Sequence, residues 1–282
     1  MLRLLNWTQE DLARAGVDSP RLSAEMLLAH VMGCRRIDLY TRFDGRPNAE
    51  QLSAFRLLVQ RARNHEPIAY LVGRKEFYSL SFKVTPDVLI PRPETEALVG
   101  EALSHLRALG RPGAVWDAFT GSGCVAVAVA VQAREASVLA TDISAPAAAL
   151  AGENAAAHGV AARVRCRVAD LLDLPEDCRD LAPFDVLTAN PPYVADADPI
   201  AESVRHEPPG ALRGGADGLD FIRRLAGQAG AVLRAGGRLA LEFGCGQADA
   251  VRDLLVRGGA FEEPRILRDH QGIERVATAA RR

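Results

Sequence analysis

The chain is poor in lysine: Lys75 and Lys83 are the only two among 34 basic residues, and aromatic residues make up 5% of its 282 positions. The lysine shortage, set beside 32 arginines and 48 alanines, reads as genomic base composition and not as function. The five cysteines, Cys34, Cys124, Cys166, Cys178 and Cys245, are odd in number, widely spaced and never arranged C-x-x-C. That spacing argues against a disulfide framework or a zinc site and for a reducing compartment. No apolar run approaches the ~20 residues of a membrane span; the longest clean one is residues 124–131. The opening MLRLLNWTQEDLARAG lacks an apolar core and a small-residue cleavage site, so it is not read as a signal peptide and a cytoplasmic protein is expected. There is no overall basic charge either. The net charge of −2 argues against a generic nucleic-acid binder.

What is present is an ordinary soluble composition, 48% hydrophobic and 25% charged, with length enough for about two domains. Charge is unevenly spread. Residues 1–75 carry 12 Lys/Arg against 8 Asp/Glu, and residues 76–282 carry 22 against 28. A mildly basic front end suits a partner with an acidic surface, although a solvated helical face explains it equally well.

Residues 1–75 read as a helical domain. Ser19-Pro20 supplies an N-cap with proline at the first helical position, Gly33 supplies a stop, and Leu22, Met26 and Ala29 form an apolar stripe between them. Asn48 and Gln51 have capping-box spacing, and Leu52, Phe55 and Val59 give the helix that follows a packing face. Residues 76–90 alternate aromatic and β-branched residues with polar ones, as in a hairpin. The stretch IPRPETE, with two prolines two apart, makes a stiff connector, so 76–96 is assigned as hairpin and linker. From 97 to 282, strands at 114–119, 137–142, 163–170, 184–190 and 237–244 alternate with a helix rich in Ala and Val after TGSG and helices at about 146–158, 217–234 and 247–257. Two late strands, 261–268 and 274–280, follow. The prediction is an α/β protein, a mostly parallel Rossmann-like sheet with an antiparallel edge, behind a small helical N-terminal domain.

Two clusters carry chemistry. Thr120-Gly121-Ser122-Gly123 lies between the first strand of the sheet and its helix, where glycine lets the backbone approach a ligand and the helix start offers free N–H groups. Asp142, at the end of the next strand, is placed to bind ribose hydroxyls. Gly121-x-Gly123-x-x-Ala126 also fits a dinucleotide fingerprint, which keeps a nicotinamide dehydrogenase open at this point. Asn190-Pro191-Pro192-Tyr193 decides against it. An amide carbonyl on Asn190, backbone carbonyls fixed by Pro191 and Pro192, and the flat face of Tyr193 suit a substrate bearing a planar NH₂ group. His65 and His206 read as surface residues and Cys124 as core. Arg92 and Thr95 are candidates to close over the cofactor, and Glu242 is either structural or site-lining.

The sequence closely resembles the HemK family of protein-(glutamine N5) methyltransferases. The likeness rests on EPIAYLVGRKEFYSLSFKVTPDVLIPRPETE (66–96), the NPPY box, HEPPGALRGGADGLDF (206–221), LALEFGCGQ (239–247) and LRDHQGIERVATA (267–279), and it spans nearly the whole chain. It implies a class I methyltransferase domain, S-adenosylmethionine as cofactor, and the Gln of a Gly-Gly-Gln motif in a class-1 peptide-chain release factor as substrate. Membrane and direct nucleic-acid partners are not expected. It implies cofactor contacts at Phe119, Thr120, Gly121, Ser122, Gly123, Asp142, Asp170, Leu171 and Asn190. Asn190, Pro191, Pro192 and Tyr193 would form the glutamine pocket, with Asn190, Pro191 and Tyr193 catalytic. Two positions depart from the family: Phe119 stands where a small residue, often Gly, is usual, and Leu171 where aromatics occur. Other readings of the same box are a glutamine methyltransferase of a ribosomal protein, a DNA or RNA amino-methyltransferase, and a cofactor-binding adaptor without activity.

Overall fold

A computed structural model describes residues 1–41 and 46–282, which form two compact units. The first comprises Met1–Arg74 with Ile200–His206, the second Lys75–Pro199 with Glu207–Arg282.

In the first unit, helices α1 (Leu2–Arg14), α2 (Pro20–Val31), α3 (Asp38–Thr41), α4 (Ala49–Arg63) and α5 (Ile68–Val72) enclose one apolar cluster that includes Leu5, Leu12, Leu27, Leu28 and Phe55. The Asn48 cap forms as its sequence suggests: Asn48 Oδ1 accepts from Gln51 N–H, and Gln51 Oε1 accepts from Asn48 N–H. Ser19 behaves otherwise. It adopts a left-handed conformation (φ 47°) and its side chain caps nothing, so Pro20 alone starts α2. The expected stripe on α2 is also displaced. Leu22 is exposed and the helix buries Ala24, Leu27 and Leu28, because α2 meets α1, α4 and α5 at once. A helix enclosed on several sides needs a broad apolar face, not a narrow stripe.

A hairpin, β1 (Arg74–Phe77) and β2 (Leu80–Lys83), spans the boundary in the chain between the units and is shorter than 76–90 because Thr85 to Ile90 leave the ladder. Helix α6 (Glu96–Leu109) precedes a seven-stranded sheet formed by β3 (Ala114–Ala118), β4 (Ser137–Asp142), β5 (Val164–Val168), β6 (Phe184–Ala189), β7 (Leu233–Glu242), β8 (Arg265–Arg268) and β9 (Glu274–Ala280). Helices α7 (Cys124–Gln132), α8 (Ala145–Ala157), α9 (Asp220–Val232) and α10 (Ala248–Arg257) connect them. The spatial order is β5-β4-β3-β6-β7-β9-β8, parallel through β7, with β9 antiparallel to both β7 and β8. The first late strand is shorter than expected, 265–268, with Phe261 contributing a lone bridge to Arg281.

Central strands are buried on both faces, as parallel sheets require. Trp116 illustrates this: it is fully buried, packs tilted against Phe184 with ring centroids 5.0 Å apart, and gives its indole N–H to Thr141 Oγ1 at 2.8 Å. Helix α7 is apolar on every side and buried at Cys124 through Ala130. At the far end of the sheet Asp185 ties three elements together, accepting from Arg111 and from Ala114 N–H and facing Arg234 Nε as an ion pair at 3.3 Å. Strand order reverses at β3, with β4 on one side and β6 on the other, and open α/β sheets hold ligands at the carboxyl ends beside such a point. The candidate residues Phe119 to Gly123, Asp142, Asp170, Leu171 and Asn190 to Tyr193 end or follow β3, β4, β5 or β6, and Glu242 ends β7.

Candidate active site

A cavity of about 320 Å³ opens at those carboxyl ends, at the lower end of the ~300–1,000 Å³ of small-molecule sites. Its first wall is the turn after β3. Thr120 N–H donates to the Thr141 carbonyl at 2.9 Å, and Gly123 N–H closes back on the Thr120 carbonyl at 2.8 Å. Gly123 has φ 77°, and a Cβ there would lie 2.9 Å from Ala151 Cβ, so only glycine lets α7 start this close to α8. Phe119 holds φ 58°, a left-handed conformation that glycine adopts most readily. Its ring meets Phe221 edge-on at 5.9 Å and both rings line the cavity.

Asp142 Oδ2 accepts from Gly121 N–H and Oδ1 from Ser144 N–H, each at 2.9 Å. The carboxylate therefore staples the glycine turn to the start of α8 and keeps spare lone pairs on the cavity side. Burial pushes its pKa upward. Asp170 also lines the cavity and pairs with Arg224 at 2.8 Å. Leu171, at φ 50°, is buried in the wall. Exposed Ile143 completes this apolar side.

Asp117, one turn deeper, is buried and accepts from Thr120 Oγ1 at 2.6 Å and Thr188 Oγ1 at 2.7 Å. Burial outweighs these bonds and raises its pKa to about 6. An acid whose folded pKa exceeds its unfolded value binds its proton more tightly when folded, so the stability it contributes falls as pH rises between the two. The expected loss between pH 3.8 and about 6 is on the order of 3 kcal/mol. Asp117→Asn flattens that part of the stability profile. Urea unfolding at pH 4.5 and 7 checks it, and an unchanged slope in the variant would refute the assignment.

Opposite the turn, Asn190 and Pro192 line the cavity, while Pro191 and Tyr193 do not. Asn190 Nδ2–H donates to Thr95 Oγ1 at 3.2 Å, which leaves the amide oxygen uncommitted. Tyr193 turns away: its hydroxyl donates to Glu242 Oε1 at 3.2 Å and its carbonyl accepts from Gln247 Nε2 at 3.0 Å. Gly123, behind the turn, is likewise outside the lining, whereas Thr120, Gly121 and Ser122 are in it.

The rest of the wall comes from the connector. Buried Glu207 accepts from Ile90 N–H at 3.0 Å and from Arg92 Nη2 at 2.5 Å, fixing Val88 to Arg92 along the cavity rim. Sequence reasoning had Arg92 and Thr95 but not Glu207. The signal was an acid directly before Pro208-Pro209. His206 Nε2 lies 3.2 Å from the Asn64 carbonyl oxygen, remote from these residues in role.

The lining suits a nucleoside carrying an amino-acid tail. Ser122 Oγ is buried without a partner at the start of α7, where a helix presents free N–H groups to an anion. Asp142 has acceptors for hydroxyls, and Leu171 with Ile143 offers apolar cover for a flat ring. A doubly wound sheet with an antiparallel β9, a glycine turn after β3 and an Asn-Pro-Pro-Tyr box after β6 defines a class I methyltransferase, a class that uses S-adenosylmethionine. Residues 3–73 match the PrmC N-terminal domain family and residues 101–208 the methyltransferase small domain family. Two relatives named release factor glutamine methyltransferase match almost end to end. The protein from Rhodopirellula baltica is 42% identical over 98% of this chain and 94% of its own length. The one from Geobacter sulfurreducens is 43% identical over 97% and 94%. A methyltransferase structure from Pyrococcus furiosus shares the fold with a TM-score of 0.52 at 16% identity, covering 83% of this chain and 98% of that one. The chain belongs to the release factor glutamine methyltransferase family. Among the described residues no helix is long and apolar enough to cross a membrane.

Proposed function

We propose that the protein transfers a methyl group from S-adenosylmethionine to the side-chain amide nitrogen of the Gln in the Gly-Gly-Gln motif of a class-1 release factor, in the cytoplasm. The observation that carries this reading is the Asn190 amide, whose nitrogen is held by Thr95 so that its oxygen is free beside the cavity, in a chain matching release factor glutamine methyltransferases along nearly its whole length.

The turn 119–123, Asp142, Asp170 and Leu171 would hold the cofactor, which supplies an electrophilic methyl on a sulfonium. The chain's own residues have a different task. An amide nitrogen is a poor nucleophile because its lone pair is delocalised into the carbonyl, a conjugation reflected in the roughly 18–20 kcal/mol barrier to rotation. Asn190 Oδ1, beside the cavity, would accept one N–H bond of the substrate amide, and the Pro191 carbonyl, which lies outside the lining, would take the other only from a side chain that reaches past the cavity. That arrangement holds the nitrogen in place and stabilises the positive charge it gains. Positioning of this kind supplies up to about 7–11 kcal/mol. Tyr193, tied to Glu242 and Gln247, would act by fixing the box and not by covering the amide plane. The front unit, with its excess of basic residues, would dock the release factor.

Incubation with labelled S-adenosylmethionine and purified release factor tests this. Label on the Gly-Gly-Gln glutamine, absent from its Gln→Ala form and from duplex DNA, is expected. Label on a ribosomal protein instead, or none with cofactor bound, overturns the substrate.

A further inference from the structure

Pro191 and Pro192 carry no backbone N–H, so the Asn-Pro-Pro-Tyr box has no donor of its own at those positions. Its anchoring falls to the downstream end. Val194 N–H donates to the Leu212 carbonyl and Gly214 N–H to the Val194 carbonyl, each at 2.9 Å, which lays the chain after the box on the loop that leads to α9. One side chain then grips both. Gln247, the residue before α10, donates from Nε2 to the Tyr193 carbonyl at 3.0 Å and to the Asp217 carbonyl at 3.3 Å. Its Oε1 accepts from Gly244 N–H, just after β7, at 2.8 Å. Asp217 is itself held: its carboxylate accepts from Leu219 N–H at 3.1 Å and from Arg223 at 3.0 Å. Gln247 is outside the cavity lining, so it does not touch a ligand held there.

We infer that Gln247 is a positioning residue for methyl transfer: its amide is a three-way clamp that locks the Asn-Pro-Pro-Tyr box to the loop before α9 and to the turn after β7. The inference rests on the methyl-transfer reading. Two carbonyl oxygens face one end of the amide and an N–H faces the other, so a single orientation satisfies all three. The NH₂ group also separates two oxygens of like partial charge. Pro191 and Pro192 carry the lock back toward Asn190, because their φ angles are fixed. Pro192 and Asn190 are the members of the box that line the cavity.

Two variants of similar length separate hydrogen bonding from packing. Gln247→Met fills the space and makes none of the three bonds. Gln247→Glu changes one atom. As a carboxylate it has no hydrogen to give and sets a charged oxygen against the two carbonyls; protonated, it gives one hydrogen back. That repulsion favours the neutral form, so the folded pKa of the new carboxyl lies above its unfolded value of about 4.3. An acid raised in this way contributes stability at low pH that is lost as pH rises from the unfolded toward the folded pKa.

Gln247→Met is expected to lower kcat about 10- to 100-fold, with cofactor Kd within about two-fold of wild type. Gln247→Glu, measured against wild type at each pH, is less active than Gln247→Met at about pH 8 and more active at about pH 5. Urea midpoints of the two variants cross in the same sense. A residue that only fills space gives no crossing. The inference is overturned by an order that is the same at both pH values, by Gln247→Met keeping the wild-type kcat, or by equal loss of kcat and cofactor affinity. Should Gln247→Glu fail to fold at the higher pH, folding regained at the lower one supports the clamp. Failure at both, with Gln247→Met folded, overturns it. If wild type labels no Gly-Gly-Gln glutamine, the substrate reading fails by itself. The clamp is then judged by the urea midpoints alone: crossing upholds it, and a fixed order removes it.

Discussion

Asn190→Ala lowers kcat about 10²- to 10³-fold, the usual cost of deleting one preorganised polar contact to a charge-developing atom. Binding of the cofactor changes only a few-fold. The asymmetry follows from geometry. The cavity's cofactor side is built by the turn after β3 and by Asp142, whose carboxylate is anchored to Gly121 and Ser144 without help from Asn190. Asn190 follows β6 on the other side, and its side chain donates to Thr95. Its loss leaves the cofactor contacts standing and removes an acceptor for the substrate N–H just as the nitrogen becomes more acidic. Single-turnover methylation paired with calorimetric cofactor binding separates the two. Equal losses would assign Asn190 to cofactor binding alone. Asn190→Asp is informative beside it, since a carboxylate keeps the acceptor and discards the donor to Thr95.

The parallel sheet was legible because its strands are short apolar runs ended by turn residues and separated by helix-length segments, as in AVWDA before Phe119 and FDVLTA before Asn190. Both chemical clusters were legible because their residue types are unusual for packing: a triplet of small residues and a double proline after an asparagine. What could not be read was pairing across distance. Nothing local in the sequence says that Glu207 answers Arg92 and the Ile90 N–H 117 positions away, or that Glu242 takes the Tyr193 hydroxyl. The partner of the Tyr193 hydroxyl could not be read for the same reason: an aromatic ring suits a substrate face and a core equally, and only tertiary packing chooses. Phe119 is the reverse case. Its backbone keeps the glycine-like φ of 58° that the turn demands, so the bulky side chain is carried as strain and directed onto Phe221.

Gly218→Ala should be the most damaging single methyl group added to this protein. Gly218 has φ 76°, and a Cβ there would lie inside van der Waals contact of the Tyr193 carbonyl oxygen and 2.8 Å from Gln247 Nε2. Gly214 presses on the same box, where a Cβ would come 2.5 Å from the Pro192 carbonyl oxygen. The loop before α9 is therefore the floor on which Pro192 and Tyr193 rest. A left-handed φ costs a non-glycine residue roughly 1–2 kcal/mol, and overpacking against backbone adds about 1–3 kcal/mol more. Gly236→Ala separates the two contributions, because Gly236 has φ 75° but nothing within 4 Å of the added carbon. Gly236→Ala is expected to lose only the conformational part and keep full activity. Gly218→Ala is expected to lose both, with kcat down about 10²-fold, since displacing a reacting group by about 1 Å has that effect. Urea unfolding and single-turnover methylation of the two variants provide the comparison. Equal destabilisation with equal activity would mean that the loop yields to the methyl group, and that the Asn-Pro-Pro-Tyr box is held by Glu242 and Gln247 instead of by the floor beneath it.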